Sequence, residues 1–218
     1  KVKDQYEENP YPRWRFGNNN TSANFLFYLN NDIKPNGIEF NNKFIKPNVL
    51  IAGCGTGQQI INAIGYQNSN IVAVDLSFAS LAYAKRKIEE LGHKNVEFLQ
   101  GDILNLNILN KKFDIIECAG VLHHMREPLE GLKVLLNLLE PHGFLKLGLY
   151  SDKARKHIVK IREFIKKKKF KNTKKDIRNC REEIVMQNND PLLHKVIHNF
   201  DFYSTSGTRD LIFHVQEH

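Results

Sequence analysis

The sequence predicts an α/β fold, a Rossmann-like doubly wound parallel sheet with helices on both faces. Short apolar runs of strand length alternate with segments of helical spacing along residues 47–151, and such alternation predicts a parallel sheet with right-handed crossovers. The first three runs lead into Gly53, Asp75 and Asp102. The carboxyl ends of parallel strands meet at one edge of a sheet, where ligands bind in open α/β folds. The sequence therefore predicts a ligand site at this edge.

In the first half of the chain, the spacing of apolar residues and the residues typical of helix ends predict the helices and strands. A short helix carries Phe25, Leu26 and Leu29, a strand covers about 48–52, and a helix begins at Gln58. Further strands are predicted within 71–77, 96–104 and 113–125. Between the first two of these, Ser77 is predicted to cap a helix that reaches Leu91, which Gly92 ends in the left-handed conformation.

The second half begins with a helix from about Pro128 to Leu139. Its leucines at helical spacing are predicted to face the core: Leu129, Leu132, Leu135 and Leu136. A fifth strand follows at 144–150, and residues 157–170 are predicted to form an amphipathic helix. A last helix is predicted from Ser204 or Thr205 through Phe213.

The glycine loop after the first strand is the most informative motif, VLIAGCGTGQ at 49–58. Glycine lets the backbone turn sharply and brings its N–H groups against a ligand. The spacing here is G-x-G-x-G, from Gly53, Gly55 and Gly57, which is tighter than the G-x-G-x-x-G of dinucleotide sites. It favours a ligand without a phosphate, such as an amino-acid tail. Asp75 follows at the end of the next strand, where an acid accepts hydrogen bonds from ribose hydroxyls.

These ordered motifs resemble those of class I S-adenosylmethionine-dependent methyltransferases over about residues 47–151. The resemblance implies S-adenosylmethionine as the cofactor and assigns one segment to each part of it. The glycine loop would hold the methionine tail, the second strand end the ribose, the third strand end the adenine and the fourth the sulfonium. The implied cofactor-binding residues are Gly53, Cys54, Gly55 and Gly57, then Asp75 and Leu76, then Asp102 and Ile103, and finally Cys118 and Ala119.

One position departs from the family pattern. Members often carry an acidic residue two places before the first glycine, which meets the ammonium of the cofactor, and this chain has Ile51 there. The resemblance then implies that backbone carbonyls, water or another segment must meet the ammonium.

The amino-terminal segment supports a narrower resemblance. Residues 5–14, QYEENPYPRW, and the run VLHHMREPLEGLKVLLNLLEPHGFLKLGLYS are similar to a group of bacterial methyltransferases often found with tetratricopeptide repeats. The chain itself shows no 34-residue repeat. Two interpretations stay open: a surface arm bounded by prolines, or a lid over the cofactor. The lid would use Tyr6, Tyr11, Arg13 and Trp14.

The segment after the fourth strand bears on the chemistry. It reads Glu117-Cys118-Ala119-Gly120, without the Asn/Asp-Pro-Pro-aromatic tetrad of enzymes that methylate base amines, so a base N-methyltransferase is disfavoured. His123 and His124 are candidate general bases, since a histidine of near-neutral pKa can take a proton as the methyl group transfers. Either histidine could instead hydrogen-bond the backbone. Glu117 is a third catalytic candidate, which could equally organise the cofactor edge.

The charge is concentrated in one segment. The net charge is +8, and residues 151–178 hold 13 Lys and Arg against 3 Asp and Glu. An amphipathic helix with a solvated lysine face is the favoured interpretation, and a nucleic-acid contact is the alternative. The three cysteines have no metal-ligand spacing, so we expect free thiols, no metal site and a cytoplasmic protein. No apolar stretch is long enough to cross a bilayer, so we expect no membrane contact.

Together these features predict a methyltransferase with three segments: an arm and lid helix at 1–46, a cofactor-binding core at 47–151 and a basic helical segment at 152–218. The last segment is either part of the same domain or an insertion before a missing C-terminal hairpin. We expect a small-molecule acceptor. The alternatives are an RNA or protein methyltransferase that docks its acceptor through 153–178, and a non-catalytic cofactor-binding scaffold. We also expect the C-terminal β-hairpin of the fold to be missing, which would leave a sheet edge open to self-association.

Overall fold

A computed structural model describes residues 1–17, 22–33, 44–186 and 190–214. These residues form two compact units. One is Tyr6–Leu149, and the other comprises the described residues of Tyr150–His218 together with Lys1–Gln5. In the described residues, no helix combines the length and the apolar character that a membrane crossing requires.

A five-stranded parallel sheet organises the Tyr6–Leu149 unit. Its strands lie in the order β3-β2-β1-β4-β5, and the predicted doubly wound parallel sheet is confirmed. Past β5, the described residues form helices. The strands are β1 (Asn48–Ala52), β2 (Asn70–Asp75), β3 (Val96–Gln100), β4 (Phe113–Ala119) and β5 (Leu139–Gly148).

Helices cover both faces of the sheet. Helix α1 (Val2–Glu8) enters this unit at Tyr6. The helices that lie wholly within the unit are α2 (Phe25–Ile33), α3 (Gln58–Ala63), α4 (Phe78–Glu90) and α5 (Pro128–Leu138). Short 3-10 helices lie at Ile103–Leu109 and Leu122–His124. One apolar cluster joins one face of the sheet to residues of α2, α3 and α4, and a second joins the opposite face to α5 and the two 3-10 helices.

The predicted ends of α4 are confirmed, because both end signals act as expected. The Ser77 hydroxyl accepts a hydrogen bond from the Ser80 N–H at 3.1 Å, and Gly92 has a φ of +82° just beyond the helix. Strand β5 begins earlier than predicted, at Leu139 rather than 144, and its pairing with β4 shifts register between Phe113 and Ile115.

The predicted leucine stripe of α5 is partly wrong. Leu135 and Leu138 are buried at 0% and 4% exposure, whereas Leu129 and Leu136 are 70% and 51% exposed. The helix turns Gly131, Leu135 and Leu138 inward at i, i+4 and i+7 spacing, and Leu135 is the one residue that this buried series shares with the predicted stripe.

The second unit is a helical bundle with its own core. Its helices are α6 (Lys156–Lys168), α7 (Lys174–Met186), α8 (Pro191–Lys195) and α9 (Thr205–Phe213), with 3-10 turns at Val196–His198 and Phe200–Tyr203. The apolar face of α6 is buried through Ile158, Ile161 and Ile165, as the amphipathic pattern predicts. Ser204 caps α9 by accepting a hydrogen bond from the Gly207 N–H at 2.9 Å.

Candidate active site

The glycine loop leaves β1 in a conformation that requires glycine. Gly53, Gly55 and Gly57 have φ values of +77°, +51° and +93°. A Cβ atom on Gly53 would also lie 2.4 Å from a methyl carbon of Val121, in the loop after β4. The N–H groups of Gly53 and Cys54 both donate to the Val74 carbonyl, at 2.8 and 2.9 Å, which ties the loop to the end of β2.

Asp75 lies at the end of β2 and joins that strand to the glycine loop. Its Oδ2 accepts a hydrogen bond from the Gly55 N–H at 2.8 Å, and its Oδ1 accepts one from the Ser77 N–H at 2.9 Å. Burial raises the pKa of this carboxyl, and the hydrogen bonds from Ser77 and Gly55 oppose that rise. A carboxylate held in this way keeps lone pairs for ribose hydroxyls.

The predicted adenine-binding residues follow the ends of β2 and β3, which are neighbours in the sheet. The Leu76 carbonyl accepts a hydrogen bond from Gln100 Nε2 at 3.1 Å. Asp102 caps the following 3-10 helix, its Oδ1 accepting from the Leu104 N–H at 3.0 Å, and Ile103 is buried. The two strand ends are therefore fixed against each other beside Asp75.

The thiols of Cys54 and Cys118 lie in the glycine loop and near the end of β4, and both are buried. Burial raises the pKa of both, that of Cys118 to about 12. Both groups are therefore neutral thiols at neutral pH. Because the thiolate is the nucleophilic form of cysteine, neither side chain competes effectively for an activated methyl group.

Two histidines follow β4 on the 3-10 helix Leu122–His124. His123 and His124 are 4% and 6% exposed, and their ring centroids lie 4.2 Å apart at an interplanar angle of 67°. The structure thus buries both candidate bases in the loop that also supplies Val121 to the glycine turn.

The Glu117 side chain of β4 lies on the face of the sheet that α3 covers. It is 4% exposed, and the Tyr66 hydroxyl donates a hydrogen bond to its Oε1. Burial raises the pKa of Glu117, while the Tyr66 hydrogen bond and the charge of Lys146 oppose the rise. Lys146 itself forms an ion pair with Asp32 of α2 at 2.7 Å.

Residues 6–17, here called the amino arm, lie against the glycine loop and α4. Trp14 Nε1 donates to the Thr56 carbonyl at 2.9 Å, and the Thr56 hydroxyl donates to the Pro12 carbonyl. The Tyr11 carbonyl is 3.5 Å from the position of a Cβ on Gly55. Tyr6 is partly buried, whereas Arg13 is exposed. The arm therefore contacts the predicted methionine-tail loop through Tyr11, Pro12 and Trp14.

Sequence reasoning missed one residue of the arm that is central to its attachment. The Glu7 carboxylate accepts hydrogen bonds from the Phe78 and Ala79 N–H groups at 2.9 and 2.8 Å. It thereby caps α4 from about seventy residues away. An acid at a helix N-terminus is electrostatically favourable, but nothing local in the sequence marks a cap so distant along the chain.

A family model and several known proteins are similar to this chain. The sequence profile of a family described as "Methyltransferase domain" matches residues 46–200, which is more than half of the chain. The chain is similar to an uncharacterized protein of Synechococcus, syc1184_c, with 34% identity over 55% of this chain and 29% of that protein. It is 33% identical to malonyl-[acyl-carrier protein] O-methyltransferase of Halalkalibacterium halodurans, over 47% of this chain and 38% of that protein.

Among solved structures, PKMT2 from Rickettsia typhi in complex with AdoHcy is similar with a TM-score of 0.66 and 26% identity. The match covers 88% of this chain and 39% of that one. The chain thus spans less than half the length of each of these three proteins. The narrower resemblance to domains accompanied by tetratricopeptide repeats stays a prediction.

The structure and the comparisons together fix the cofactor. The glycine loop and Asp75 are joined at the carboxyl edge of a 3-2-1-4-5 sheet, and the family match includes all five strands. A relative of the same fold binds AdoHcy, the demethylated form of the cofactor. The chain therefore belongs to the methyltransferase-domain family, as a class I S-adenosylmethionine-dependent methyltransferase.

Proposed function

We propose that this enzyme methylates an amino group on a protein acceptor, and that the acceptor surface is acidic. The observation that carries the proposal is the extent of the likeness to PKMT2. The Tyr6–Leu149 unit makes up about two thirds of the chain, so a match over 88% must extend into the helical unit. The abbreviated name PKMT2 denotes a protein lysine methyltransferase.

The charge of the helical unit supports this choice. In the described part of the chain, Lys160 pairs with Asp190 and Lys168 with Glu183, at 2.5 and 2.9 Å. No ion pair involves the other lysines of the basic segment that the structure describes. These are Lys153, Lys156, Lys166, Lys167, Lys169, Lys171, Lys174 and Lys175. Because their charges are uncompensated, the surface is complementary to an acidic protein.

The residues of the site can support methyl transfer to an amine. Bound S-adenosylmethionine supplies a methyl group activated on a sulfonium. A lysine side chain has a pKa of about 10.4 and must lose a proton before its lone pair can attack. We assign this proton to His123 or His124, which are buried after β4. The lid role of Tyr6, Tyr11, Arg13 and Trp14 belongs to the same proposal, since a covered site excludes water and fixes the in-line geometry.

A small-molecule acceptor is the second candidate. Demethylmenaquinone methyltransferase of Lactococcus lactis, whose name gives a quinone as the acceptor, is 31% identical to this chain, whereas PKMT2 is 26% identical. Its match covers only 44% of the chain, however, whereas the match to PKMT2 covers 88%.

Transfer from methyl-labelled S-adenosylmethionine to fractions of a bacterial lysate tests the proposal. The three fractions are protein, RNA and metabolites of low molecular mass. We expect the label in protein, recovered as methylated lysine after acid hydrolysis, and its loss with the Asp75→Ala variant. Label in the RNA or the metabolite fraction, or in none of the three, would overturn the protein acceptor.

A further inference from the structure

The amino-acid tail of the cofactor places a specific demand on this site. S-adenosylmethionine carries an ammonium group, and an ammonium that leaves water needs acceptors or an opposite charge. The strand that leads into the glycine loop offers neither, because Val49, Leu50, Ile51 and Ala52 are all fully buried and apolar.

The neighbouring strand supplies a carboxylate at the same level. In the parallel pairing of β1 with β4, Ile51 lies directly opposite Glu117. Ile51 is one residue before the end of β1 at Ala52, and Glu117 is two residues before the end of β4 at Ala119. Residues paired across a sheet point to the same face, and neighbouring strands are about 4.8 Å apart. A carboxylate on residue 117 can therefore bind a ligand group that an acid at residue 51 would otherwise bind.

Glu117 retains the capacity to bind a cation. Among the described residues it is the only acidic one that is buried, at 4% exposure. Its Oε1 accepts from Tyr66, and no hydrogen bond from the described residues reaches Oε2. The nearby cation, Lys146, is paired with Asp32 at 2.7 Å. Three charged or titratable groups act on Glu117, namely Tyr66, Lys146 and Asp32.

A second acceptor lies beside the end of the same strand. Gln59, in the first turn of α3, donates from Nε2 to the Ala119 carbonyl. Its Oε1 is buried and accepts no hydrogen bond from the residues that the structure describes. A buried amide oxygen without a donor is costly, so such an atom points to a ligand that donates to it. Gln59 belongs to α3, which covers the face of the sheet that carries Glu117, so Gln59 and Glu117 lie on one side of β4.

We infer that Glu117 and Gln59 form the binding site for the cofactor's ammonium, which β1 of this chain does not provide. Glu117 contributes the charge and Gln59 a neutral acceptor. The role is one of cofactor positioning, and it holds whether the methyl acceptor is a protein or a small molecule.

Calorimetric titration with two ligands tests this inference. S-adenosylhomocysteine carries the amino-acid tail, and 5′-methylthioadenosine lacks it. We expect Glu117→Gln to weaken S-adenosylhomocysteine roughly tenfold to a hundredfold, the range for losing a hydrogen bond to a charged group. The affinity for 5′-methylthioadenosine should stay within about twofold. Glu89→Gln is the matched control, because it makes the same chemical change at an exposed position of α4 and should leave both affinities unchanged.

The result is decisive in either direction. Equal weakening of both ligands would assign Glu117 a purely structural role, and unchanged binding of both would also overturn the inference. Gln59→Met, which keeps the side-chain length and removes the acceptor, should show the same selectivity with a smaller loss. If Glu117→Gln does not fold, the wild-type enzyme gives the answer. It should bind the S-adenosylhomocysteine analogue that lacks the α-amine at least about tenfold more weakly than S-adenosylhomocysteine itself.

Discussion

The side chain of Asp75 is hydrogen-bonded to the backbone of Gly55, at 2.8 Å between Oδ2 and N. The acid that would hold the ribose and the loop that would hold the methionine tail are thus parts of one hydrogen-bonded unit. A change at either residue should disturb both halves of the cofactor site.

Asp75→Ala should therefore weaken S-adenosylmethionine by roughly 2–3 kcal/mol, because the site loses a charge-assisted acceptor for two hydroxyls. Calorimetry measures this directly. Unchanged affinity in a folded variant would contradict the assignment of this strand end, and saturable binding of NAD to the wild-type protein would contradict the cofactor.

Trp14→Ala should release the amino arm from the glycine loop. The variant loses the hydrogen bond to Thr56 and an edge contact with Tyr83, whose ring centroid lies 6.3 Å from that of Trp14. We expect faster amide hydrogen exchange at 55–57 and cofactor binding weaker by about 1–2 kcal/mol. Phe16→Ala is the matched control, because Phe16 is an aromatic residue of the same arm that is 93% exposed. If both variants behave alike, Trp14 does not hold the arm.

Reversing charge on the helical unit should impair acceptor binding alone. The triple variant Lys166→Glu, Lys167→Glu and Lys169→Glu spares Lys168, which pairs with Glu183. KM for an acidic protein acceptor should rise about tenfold or more at low salt, with a smaller difference at high salt, and cofactor affinity should not change. The control for net charge is the triple variant Lys46→Glu, Lys85→Glu and Lys94→Glu, which makes the same total change at exposed lysines of the Tyr6–Leu149 unit. An unchanged KM would support the solvated helix that the sequence favoured.

The pH dependence of stability should report on Glu117. Burial raises its pKa above the ordinary 4.5, so folding favours the protonated form. The stability this group contributes is complete below the ordinary pKa and is lost as the pH rises through the raised one. Glu117→Gln keeps an acceptor for Tyr66 without the charge. It should match or exceed the wild-type melting temperature at about pH 8, with the difference shrinking toward about pH 4. A variant less stable than wild type at the higher pH would show that the charge stabilises the fold.

Much of the catalytic half of the fold could be predicted from the sequence, because its signals are local. The glycine loop, the buried run of β2 that ends at Asp75 and the Ser77 cap each lie within a few neighbouring residues. Such spacing and cap rules hold wherever the segment sits in the fold.

The rest depends on contacts between distant segments. The Glu7 cap on α4 and the Trp14 bond to Thr56 join residues far apart in the sequence, and rules of local spacing do not predict such contacts. The phase of α5 was missed for a related reason. Five leucines leave more than one apolar face available, and packing against the sheet selects the one through Leu135 and Leu138.

The pairing of Ile51 with Glu117 has a consequence for how relatives of this chain are compared. A sequence motif covers residues of one strand, whereas a ligand also contacts the residues paired with them on the neighbouring strand. A search that demands an acid before the first glycine would discard this chain as defective, although a carboxylate lies one strand away. We expect the two positions to exchange roles among homologues, with an acid at either one relieving the need at the other. An Ile51→Asp, Glu117→Leu double variant that recovers binding lost in Glu117→Leu would demonstrate the exchange within a single protein.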